Sequence, residues 1–314
     1  MRFEVTRMGR ISVFDAHCDT ISRIFKTEES IFRNSGLVEL EKTRIAFERY
    51  CQFFALFADS ARPGHPTYDE LLACFRRQME EHSGCICQCR TSDDAMKANR
   101  NGKAAAFVTV EGAELLDCDP KRLVQAAADG VVAINLTWNN ANAISGSCRE
   151  EPERGLSDIG REFVRRMEVL GILVDVSHLS DPGFWDLMEI ARKPVIASHS
   201  NARSVCDHTR NLTDEQITAI IKNQGIVGLN FYRNFIGGSM DFDAIRRHLD
   251  HILDLGGRAQ LALGGDWDGC DTIDLLPDIT CLENLYEYLL TCGYKEDLLH
   301  DIYYNNLMRV VRER

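Results

Sequence analysis

Short hydrophobic runs alternate along the chain with charged segments that have helical spacing. Eight of these runs have the length and composition of buried strands, at residues 11–16, 51–58, 104–110, 131–136, 172–177, 194–198, 225–231 and 260–265. Continuous apolar runs are typical of parallel strands that are covered on both faces. Eight strands alternating with helices predict an α/β protein, a single (β/α)₈ TIM-like barrel domain over residues 1–314.

Helix boundaries and two irregular segments complete this pattern. The helical stretch DFDAIRRHLDHILDLG has a candidate N-cap at Asp241 and ends at Gly256. Residues 59–103 are predicted to hold a Pro/Gly turn followed by a long charged helix, and residues 137–160 a polar loop rich in Asn, Gly and Ser. Long loops in compact domains are commonly functional, and both segments follow strands whose ends would border a barrel's active site.

Charge and hydropathy exclude two classes of partner. The 36 basic and 48 acidic side chains give a formal charge of −12, which repels a phosphate backbone, so nucleic acid is not expected to bind. The apolar runs are strand length, and the N-terminal MRFEVTRMGR lacks the charged and apolar regions of a secretory leader. These features predict a soluble, cytoplasmic protein that does not interact with membranes.

The twelve cysteines are scattered through a chain that can form a large core, so we expect most of them to be reduced and buried. Cys85, Cys87 and Cys89 are exceptional, since alternate spacing places three thiols on one face of a strand or loop. They lack the paired CxxC spacing of a zinc knuckle, which disfavours a structural metal there.

Five of the apolar runs end at residues that can bind a metal ion. These residues are His17 and Asp19, Glu111, His178, His199 and Asp266. The carboxyl ends of parallel barrel strands meet at one end of the barrel, where the active site lies. The pattern therefore predicts a metal site assembled from several strands, although each residue taken alone also fits a cap, a turn or a buried histidine.

The spacing around the first two of these ends favours metal binding. His17 and Asp19 are two residues apart, so on an extended strand both side chains project to the same face. Imidazole and carboxylate are suitable ligands for zinc. Glu111 precedes Gly112 and has two carboxylate oxygens that can bridge two cations; its alternative role is to cap a helix near residues 113–116.

The later strand ends also carry residues that fit a metal site. His178 and His199 each follow a serine and lie 21 residues apart, one strand, helix, strand step, so neighbouring strands would bring their rings together. Asp266 lies in LGGDWDG, where a carboxylate beside cations could transfer protons. The tight Asp-Gly turn, its alternative interpretation, describes Asp268 and Gly269 better.

Six of these motifs together resemble a known family. The strings DAHCDT, VEG, VDVSHLS, ASHSNAR, RNLTDEQI and LGGDWDG occur in the order and spacing of the membrane (renal) dipeptidase family of zinc peptidases, peptidase family M19. The resemblance runs from residue 15 to about residue 310, where NNLMRVV is similar to the family's closing segment.

The resemblance implies a TIM-like barrel of the metal-dependent hydrolase type with two zinc ions per chain. His17 and Asp19 would bind one zinc ion and His178 and His199 the other. Glu111 would bridge the two ions, and so belongs to both the metal-binding and the catalytic set.

The resemblance also assigns residues that meet the substrate. Asp266 matches the residue that protonates the leaving amine, and Arg210 in TRNLTDEQ matches the anchor for the substrate's free carboxylate, a group that a guanidinium can grip with two hydrogen bonds. Tyr232 in LNFYRN is a further pocket candidate.

One position departs from the family pattern. Better known members carry a histidine that steadies the oxyanion, and Trp138 occupies that position in LTWNNAN. Indole donates one hydrogen bond but does not become a cation. We therefore interpret Trp138 as an aromatic wall of the pocket, and Asn139, Asn142 or the zinc itself as candidates for the oxyanion role.

The implied function is zinc-dependent hydrolysis of dipeptides, L-D dipeptides among them, by a hydroxide that bridges the two ions. Related enzymes are often dimers, so a homodimer is the expected assembly. Two alternatives remain open on sequence alone. One is another metal-dependent amidohydrolase on the same barrel, and the other is a catalytically impaired homologue that binds metal and peptide without turnover.

Overall fold

The computed structural model describes residues 10–314 of the chain. The prediction that the N-terminal segment is not a secretory leader concerns residues 1–9, which lie outside the described part. The strands are β1 (Ser12–Cys18), β2 (Arg49–Phe57), β3 (Ile86–Gln88), β4 (Ala104–Glu111), β5 (Val131–Asn135), β6 (Leu173–Asp175), β7 (Val195–Ala197), β8 (Ile226–Leu229) and β9 (Leu261–Leu263).

Eight of these strands close into a parallel barrel. The hydrogen-bonded order around the ring is β1, β2, β4, β5, β6, β7, β8 and β9, and Asp15 of β1 pairs with Leu263 of β9 to close it. The predicted (β/α)₈ barrel is confirmed, and each of the eight predicted strands agrees with an observed one to within two residues at either end.

The strand β3 is the exception. It lies outside the closed ring and pairs in parallel with the first three residues of β4, Ala104, Ala105 and Ala106. The predicted turn is present at residues 60–64, but the prediction of one long helix after it is wrong, because the segment contains two helices with β3 between them. Three residues are too few to show a strand period in the sequence, and tertiary pairing decided their conformation.

Helices follow the strands around the outside of the ring. They are α1 (Thr20–Thr27), α2 (Leu40–Ala46), α3 (Tyr68–Glu81), α4 (Ser92–Arg100), α5 (Leu123–Asp129), α6 (Asp158–Val169), α7 (Asp181–Ile190), α8 (Asp214–Lys222), α9 (Arg233–Ile236), α10 (Phe242–Asp254), α11 (Leu282–Thr291), α12 (Glu296–His300) and α13 (Asn306–Glu313). As predicted, Asp241 caps α10 by accepting the Ala244 N–H at 2.9 Å. A π-helical turn, Asp301–Asn305, joins α12 to α13.

The barrel interior is packed with side chains. Phe14, Phe53 and Phe107 lie in one aromatic cluster, with ring centroids 5.3 to 5.7 Å apart. Leu307 and Val310 of α13 are fully buried in the same cluster, so the C-terminal helix covers this end of the barrel. The opposite end, where the strands terminate, remains available for a site.

All twelve cysteines are free thiols, and five of them are buried, so the expectation that most would be buried is wrong. Within the described residues, no group of potential metal ligands includes Cys85, Cys87 or Cys89. Among residues 10–314, no helix has both the length and the apolar character that a bilayer crossing requires.

Candidate active site

The end of β1 carries His17 and Asp19, and a buried carboxylate sets their direction. Asp15 Oδ1 accepts the backbone N–H of His17 at 3.0 Å and the Gln52 side-chain amide at 2.9 Å. Its Oδ2 accepts the Gly265 N–H at 2.9 Å. The pairing register of β1 shifts between Asp15 and Cys18, and His17 Nε2 then lies 3.5 Å from Asp19 Oδ2.

Glu111, the last residue of β4, lies between two groups of ligands. Its Oε2 is 3.6 Å from His17 Nε2, and its Oε1 is 3.0 Å from His178 Nε2 and 3.5 Å from His199 Nε2. The capping alternative is wrong, since the helical turn Ala113–Leu116 has Gly112 at its N-cap. Glu111 thus occupies the position that a bridging carboxylate requires.

His178 and His199 converge from neighbouring strands, as their spacing predicts. Their Nε2 atoms are 3.1 Å apart. The Nδ1 atom of His178 lies 3.0 Å from Asn139 Oδ1, and that of His199 lies 2.7 Å from Ser198 Oγ. Acceptors at Nδ1 favour the tautomer in which Nε2 keeps its lone pair, the form that binds a cation.

We use the term cage for His17, Asp19, Glu111, His178 and His199. Burial, reinforced by the Asp19 carboxylate, raises the pKa of Glu111 to about 7. Burial lowers the pKa values of His178 and His199 well below the usual range, and nearby cations add to this effect. Burial also acts to lower the pKa of His17, but Glu111 and Asp19 outweigh it and raise that pKa well above its usual value. Without a cation, the cage therefore holds costly buried carboxylates.

The residues of the cage fit a metal ion. His17 Nε2 and Asp19 Oδ1 are buried and have no hydrogen-bond partner in the described part of the chain. Their ligand atoms and those of the neighbouring side chains form three overlapping groups, each within 4.8 Å: His17, Asp19 and Glu111; Glu111, His178 and His199; and His17, His199 and Asp266. Imidazole nitrogens and carboxylate oxygens are ligands that zinc prefers, and such orphaned atoms are expected where an ion completes the site.

Asp266 lies at the edge of the cage, in the loop after β9. Its backbone has a φ of 59°. Its Oδ2 accepts the Asn230 side-chain amide at 3.1 Å, and its Oδ1 lies 3.9 Å from His17 Nε2. Asp268 instead holds the loop, since it accepts the Leu37 N–H at 2.7 Å and the Thr20 hydroxyl at 2.6 Å. The two acids therefore differ as the sequence predicts, and burial raises the pKa of Asp266.

A cavity of about 840 Å³ opens above the cage. Seven of the nine predicted site residues line it: Asp19, Glu111, Trp138, His178, Arg210, Tyr232 and Asp266. The other two, His17 and His199, lie beneath this surface and are almost fully buried. The structure thus brings all nine residues to one place.

Arg210 is a buried cation without a carboxylate partner. Its guanidinium donates to Ser200 Oγ at 3.2 Å and to the His199 carbonyl at 3.3 Å, and it lies over the Phe235 ring at 5.4 Å. Among residues 10–314, its Nε has no hydrogen-bond partner and its guanidinium forms no ion pair with a carboxylate. Because an unpaired buried charge is costly, such an arginine indicates a site for an anion.

Aromatic side chains form the walls of the cavity. Trp138 packs against Phe57 with ring centroids 4.8 Å apart, and its ring lies 6.3 Å from that of His178. Tyr232 packs edge-on against Phe235 at 4.7 Å, and its hydroxyl accepts the Asn234 amide at 2.7 Å. These contacts agree with the interpretation of Trp138 as a wall.

Asn142 has a structural role rather than a catalytic one. Its amide donates to Glu114 at 2.9 Å and to the Leu136 carbonyl at 2.8 Å, and its oxygen accepts the Ile144 N–H at 2.8 Å. Every part of this side chain is occupied within the loop. The expectation that the Asn142 amide stabilises the oxyanion is therefore wrong.

Sequence reasoning missed several supporting residues. Asp15 and Asn230 orient His17 and Asp266, and Asp175 accepts the Ser177 N–H at 2.9 Å and the Ser198 N–H at 3.0 Å. One signal could have found the two acids. Asp15 and Asp175 are the charged residues inside otherwise apolar strand runs, VFDAH and LVDVSH.

Comparison with known proteins agrees with this geometry. The family model described as membrane dipeptidase (peptidase family M19) matches residues 1–314. A Klebsiella pneumoniae protein, uncharacterized and named for the pqqA 5′ region, is 32% identical over 253 residues, which are 77% of this chain and 93% of the relative. An uncharacterized dipeptidase of Schizosaccharomyces pombe is 30% identical over 285 residues, 82% of this chain and 68% of the relative.

Solved structures are similar over almost the whole chain. A metallopeptidase from Rhodobacter sphaeroides, crystallised with a phosphinate mimic of the dipeptide L-Ala-D-Ala, superposes with a TM-score of 0.86 at 25% identity, covering 97% of this chain and 99% of that one. With the family model, these similarities show that the chain is a peptide-bond hydrolase and belongs to the membrane dipeptidase family of metallopeptidases, peptidase family M19.

Proposed function

We propose that this dipeptidase holds two zinc ions in the cage and selects its substrates by their free C-terminal carboxylate. The observation that carries the proposal is that one cavity contains both the cage and the unpaired guanidinium of Arg210. His17 and Asp19 would hold one ion, and His178 and His199 the other. Glu111, with one oxygen toward each pair, would be shared between them.

The zinc ions and the protein side chains would supply different parts of the reaction. When bound, zinc polarises a carbonyl group and lowers the pKa of water to about 7, so that a hydroxide nucleophile is available near neutral pH. Hydrolysis then joins the water oxygen to the carbonyl carbon and breaks the carbon–nitrogen bond. The proton released from water must reach the departing nitrogen.

Asp266 is placed to carry that proton. The Asn230 amide holds its Oδ2, while Oδ1 faces the cage. A carboxylate held in this direction at the edge of the cage is a suitable carrier for a proton. We assign it as the group that takes the proton from water and gives it to the leaving amine.

Arg210 would set the length of the substrate. A guanidinium grips a carboxylate with two parallel hydrogen bonds, and this one is held by Ser200 and by the Phe235 ring. A C-terminal carboxylate fixed at Arg210 would place the last peptide bond of the substrate, which is the only one in a dipeptide, at the cage. The Trp138 and Phe57 rings would enclose the remaining part of the substrate.

L-D dipeptides are proposed substrates as well as L-L dipeptides. Support comes from the Rhodobacter sphaeroides metallopeptidase, whose structure contains a mimic of L-Ala-D-Ala. We further propose that the chain acts as a single domain, because one closed ring of strands carries every residue of the site.

Metal analysis beside a substrate panel tests the proposal. The purified protein is expected to contain two zinc ions per chain, to lose activity on dialysis against a chelator and to regain it on addition of zinc. The panel should contain L-Ala-L-Ala, L-Ala-D-Ala, the corresponding dipeptide amides, a tripeptide, a cyclic amide and a lactone. Hydrolysis of the cyclic amide or lactone in preference to every dipeptide would contradict the proposal.

A further inference from the structure

Asn139 lies between the cage and the cavity, in the loop that follows β5. Its Oδ1 is 3.0 Å from His178 Nδ1, while the opposite ring nitrogen, Nε2, is 3.0 Å from Glu111 Oε1. For His178 to offer a lone pair to a cation at Nε2, its proton must reside on Nδ1. Nδ1 is then a donor, and the group facing it must be the carboxamide oxygen of Asn139.

This bond also fixes the other half of the Asn139 side chain. With Oδ1 on His178, the amide nitrogen Nδ2 points away from the ring, and it has no hydrogen-bond partner among residues 10–314. Asn139 lines the cavity together with Asn234, whose amide already donates to the Tyr232 hydroxyl. Of the asparagines that line the cavity in the described part of the chain, Asn139 alone has an uncommitted amide.

The backbone holds Asn139 and the segment around His178 together. The Ser147 hydroxyl donates to the Asn139 carbonyl at 2.6 Å. The next residue, Cys148, donates its N–H to the His178 carbonyl at 2.8 Å, and Ser147 forms an antiparallel bridge with Leu179. The loop of residues 137–160 is thus fastened to the end of β6, so the Asn139 amide is positioned before a substrate arrives.

We propose that Asn139 is a catalytic residue that orients His178 through Oδ1 and donates a hydrogen bond from Nδ2 to the carbonyl oxygen of the scissile peptide bond. This inference rests on the proposed dipeptidase function. As the water oxygen adds to the carbonyl carbon, the electron pair of the C=O π bond moves onto the carbonyl oxygen and later returns as the carbon–nitrogen bond breaks. A donor fixed beforehand stabilises that transient charge without reorganisation.

Three variants separate the two functions. In Asn139→Asp, a carboxylate still accepts from His178 Nδ1 but cannot donate to the substrate. In Asn139→Ala, both interactions are lost. The matched control is Asn140→Asp, which introduces the same charge one residue away at a half-buried side chain without a hydrogen bond in the described structure.

The donor function is tested by steady-state kinetics on L-Ala-L-Ala and L-Ala-D-Ala. We expect Asn139→Asp to keep its zinc content and to lose about 10² to 10³ in kcat, the usual effect of removing one oxyanion donor. Asn140→Asp should retain kcat to within about twofold. Equal losses in the two variants would assign the effect to charge alone and overturn the proposal, as would an unchanged kcat in Asn139→Asp.

The indole N–H of Trp138 is the competing donor, and Trp138→Phe removes it while preserving the aromatic wall. Because Trp138 also lines the cavity, the KM of this variant is expected to rise, while its kcat should fall much less than that of Asn139→Asp. A large loss of kcat in Trp138→Phe with none in Asn139→Asp would move the donor role to Trp138.

The orienting function is tested without any turnover, by titrating metal-free protein with zinc in competition with a chromophoric chelator. We expect Asn139→Ala to bind the zinc ion at His178 about 10 to 100 times less tightly. Such a loss is usual when a partner of a ligating histidine is removed. Unchanged zinc affinity in Asn139→Ala would refute the orienting function. A wild-type protein that binds zinc but hydrolyses no dipeptide would refute the proposed function and the donor role, whereas the affinity loss would still report on His178.

Discussion

The Asn230 amide donates to Asp266 Oδ2 over 3.1 Å, and this bond turns the other oxygen of Asp266 toward the cage. Asn230 is itself held in place, since its amide also donates to the His199 carbonyl at 3.3 Å and its oxygen accepts the Tyr232 N–H at 2.6 Å. Asn230, at the end of β8, therefore links the proposed proton-transfer group, Asp266, to the backbone of His199, a proposed metal ligand. This arrangement fixes the direction in which the Asp266 carboxylate points, as well as the position of its charge.

Asp266→Asn is expected to lower kcat by about 10² to 10⁴, the range for loss of a general acid or base, and to change KM only a few fold. An amide preserves the shape of the side chain but cannot carry the proton. Steady-state kinetics on L-Ala-L-Ala will measure both parameters. The control is Asp274→Asn, in a side chain that is 93% exposed, which should leave both unchanged. A kcat near that of the wild type would remove Asp266 from the mechanism.

Arg210→Lys should raise KM for dipeptides by about 10² or more, because a lysine keeps the charge but loses the two-bond grip on a carboxylate. Its effect on kcat should be smaller. Kinetics with a dipeptide and its C-terminal amide will show whether the variant has lost the preference for the free carboxylate. If the wild-type enzyme hydrolyses both compounds equally well, Arg210 has another function.

The stability of the metal-free protein should depend on pH through Glu111. Its pKa is raised from 4.5 to about 7 in the folded state, so the folded protein binds more protons than the unfolded chain between these values. The contribution of Glu111 to the free energy of unfolding therefore falls as pH rises through this window, by about 3 kcal/mol in total.

Comparison with Glu111→Gln measures the contribution of Glu111 to the free energy of unfolding. Urea unfolding of chelator-treated wild type and variant at several pH values should show the wild type losing stability relative to the variant from about pH 4.5 to about pH 7. Parallel stability curves for the two proteins would show that Glu111 does not titrate there.

Asp15→Ala should destabilise the protein by about 3 kcal/mol or more, because it strands several buried donors. These include the N–H groups of His17 and Gly265 and the Trp267 indole, which donates at 3.1 Å. The variant should also bind zinc more weakly, since His17 loses its support. Urea unfolding measures the first effect and metal titration the second. Glu41→Gln, in a surface pair with Arg33, should change the stability much less than Asp15→Ala.

Much of the fold follows from the sequence alone, because its signals are local. The apolar runs at Val131–Asn135 and Ala104–Glu111 are long enough to identify buried strands without knowledge of their neighbours. The strand Ile86–Gln88 is too short to be identified in this way, since its conformation depends on pairing with Ala104 and the next two residues. Periodicity in a few residues carries too little information to outweigh tertiary context.

The site shows the same division. The sequence by itself determined which residues end the barrel strands, and the geometry of a closed parallel barrel requires those ends to meet. These strand ends supplied His17, Asp19, Glu111, His178, His199 and Asp266, and the family resemblance added Arg210, Trp138 and Tyr232. Only the tertiary structure decided which polar groups lack a partner among residues 10–314. Asn142 is fully bonded in its loop, while the Asn139 amide has no acceptor and the Arg210 guanidinium has no carboxylate. Hydrogen-bond partners come from distant parts of the chain, as when Asp15 meets Gly265, and no local pattern can specify them.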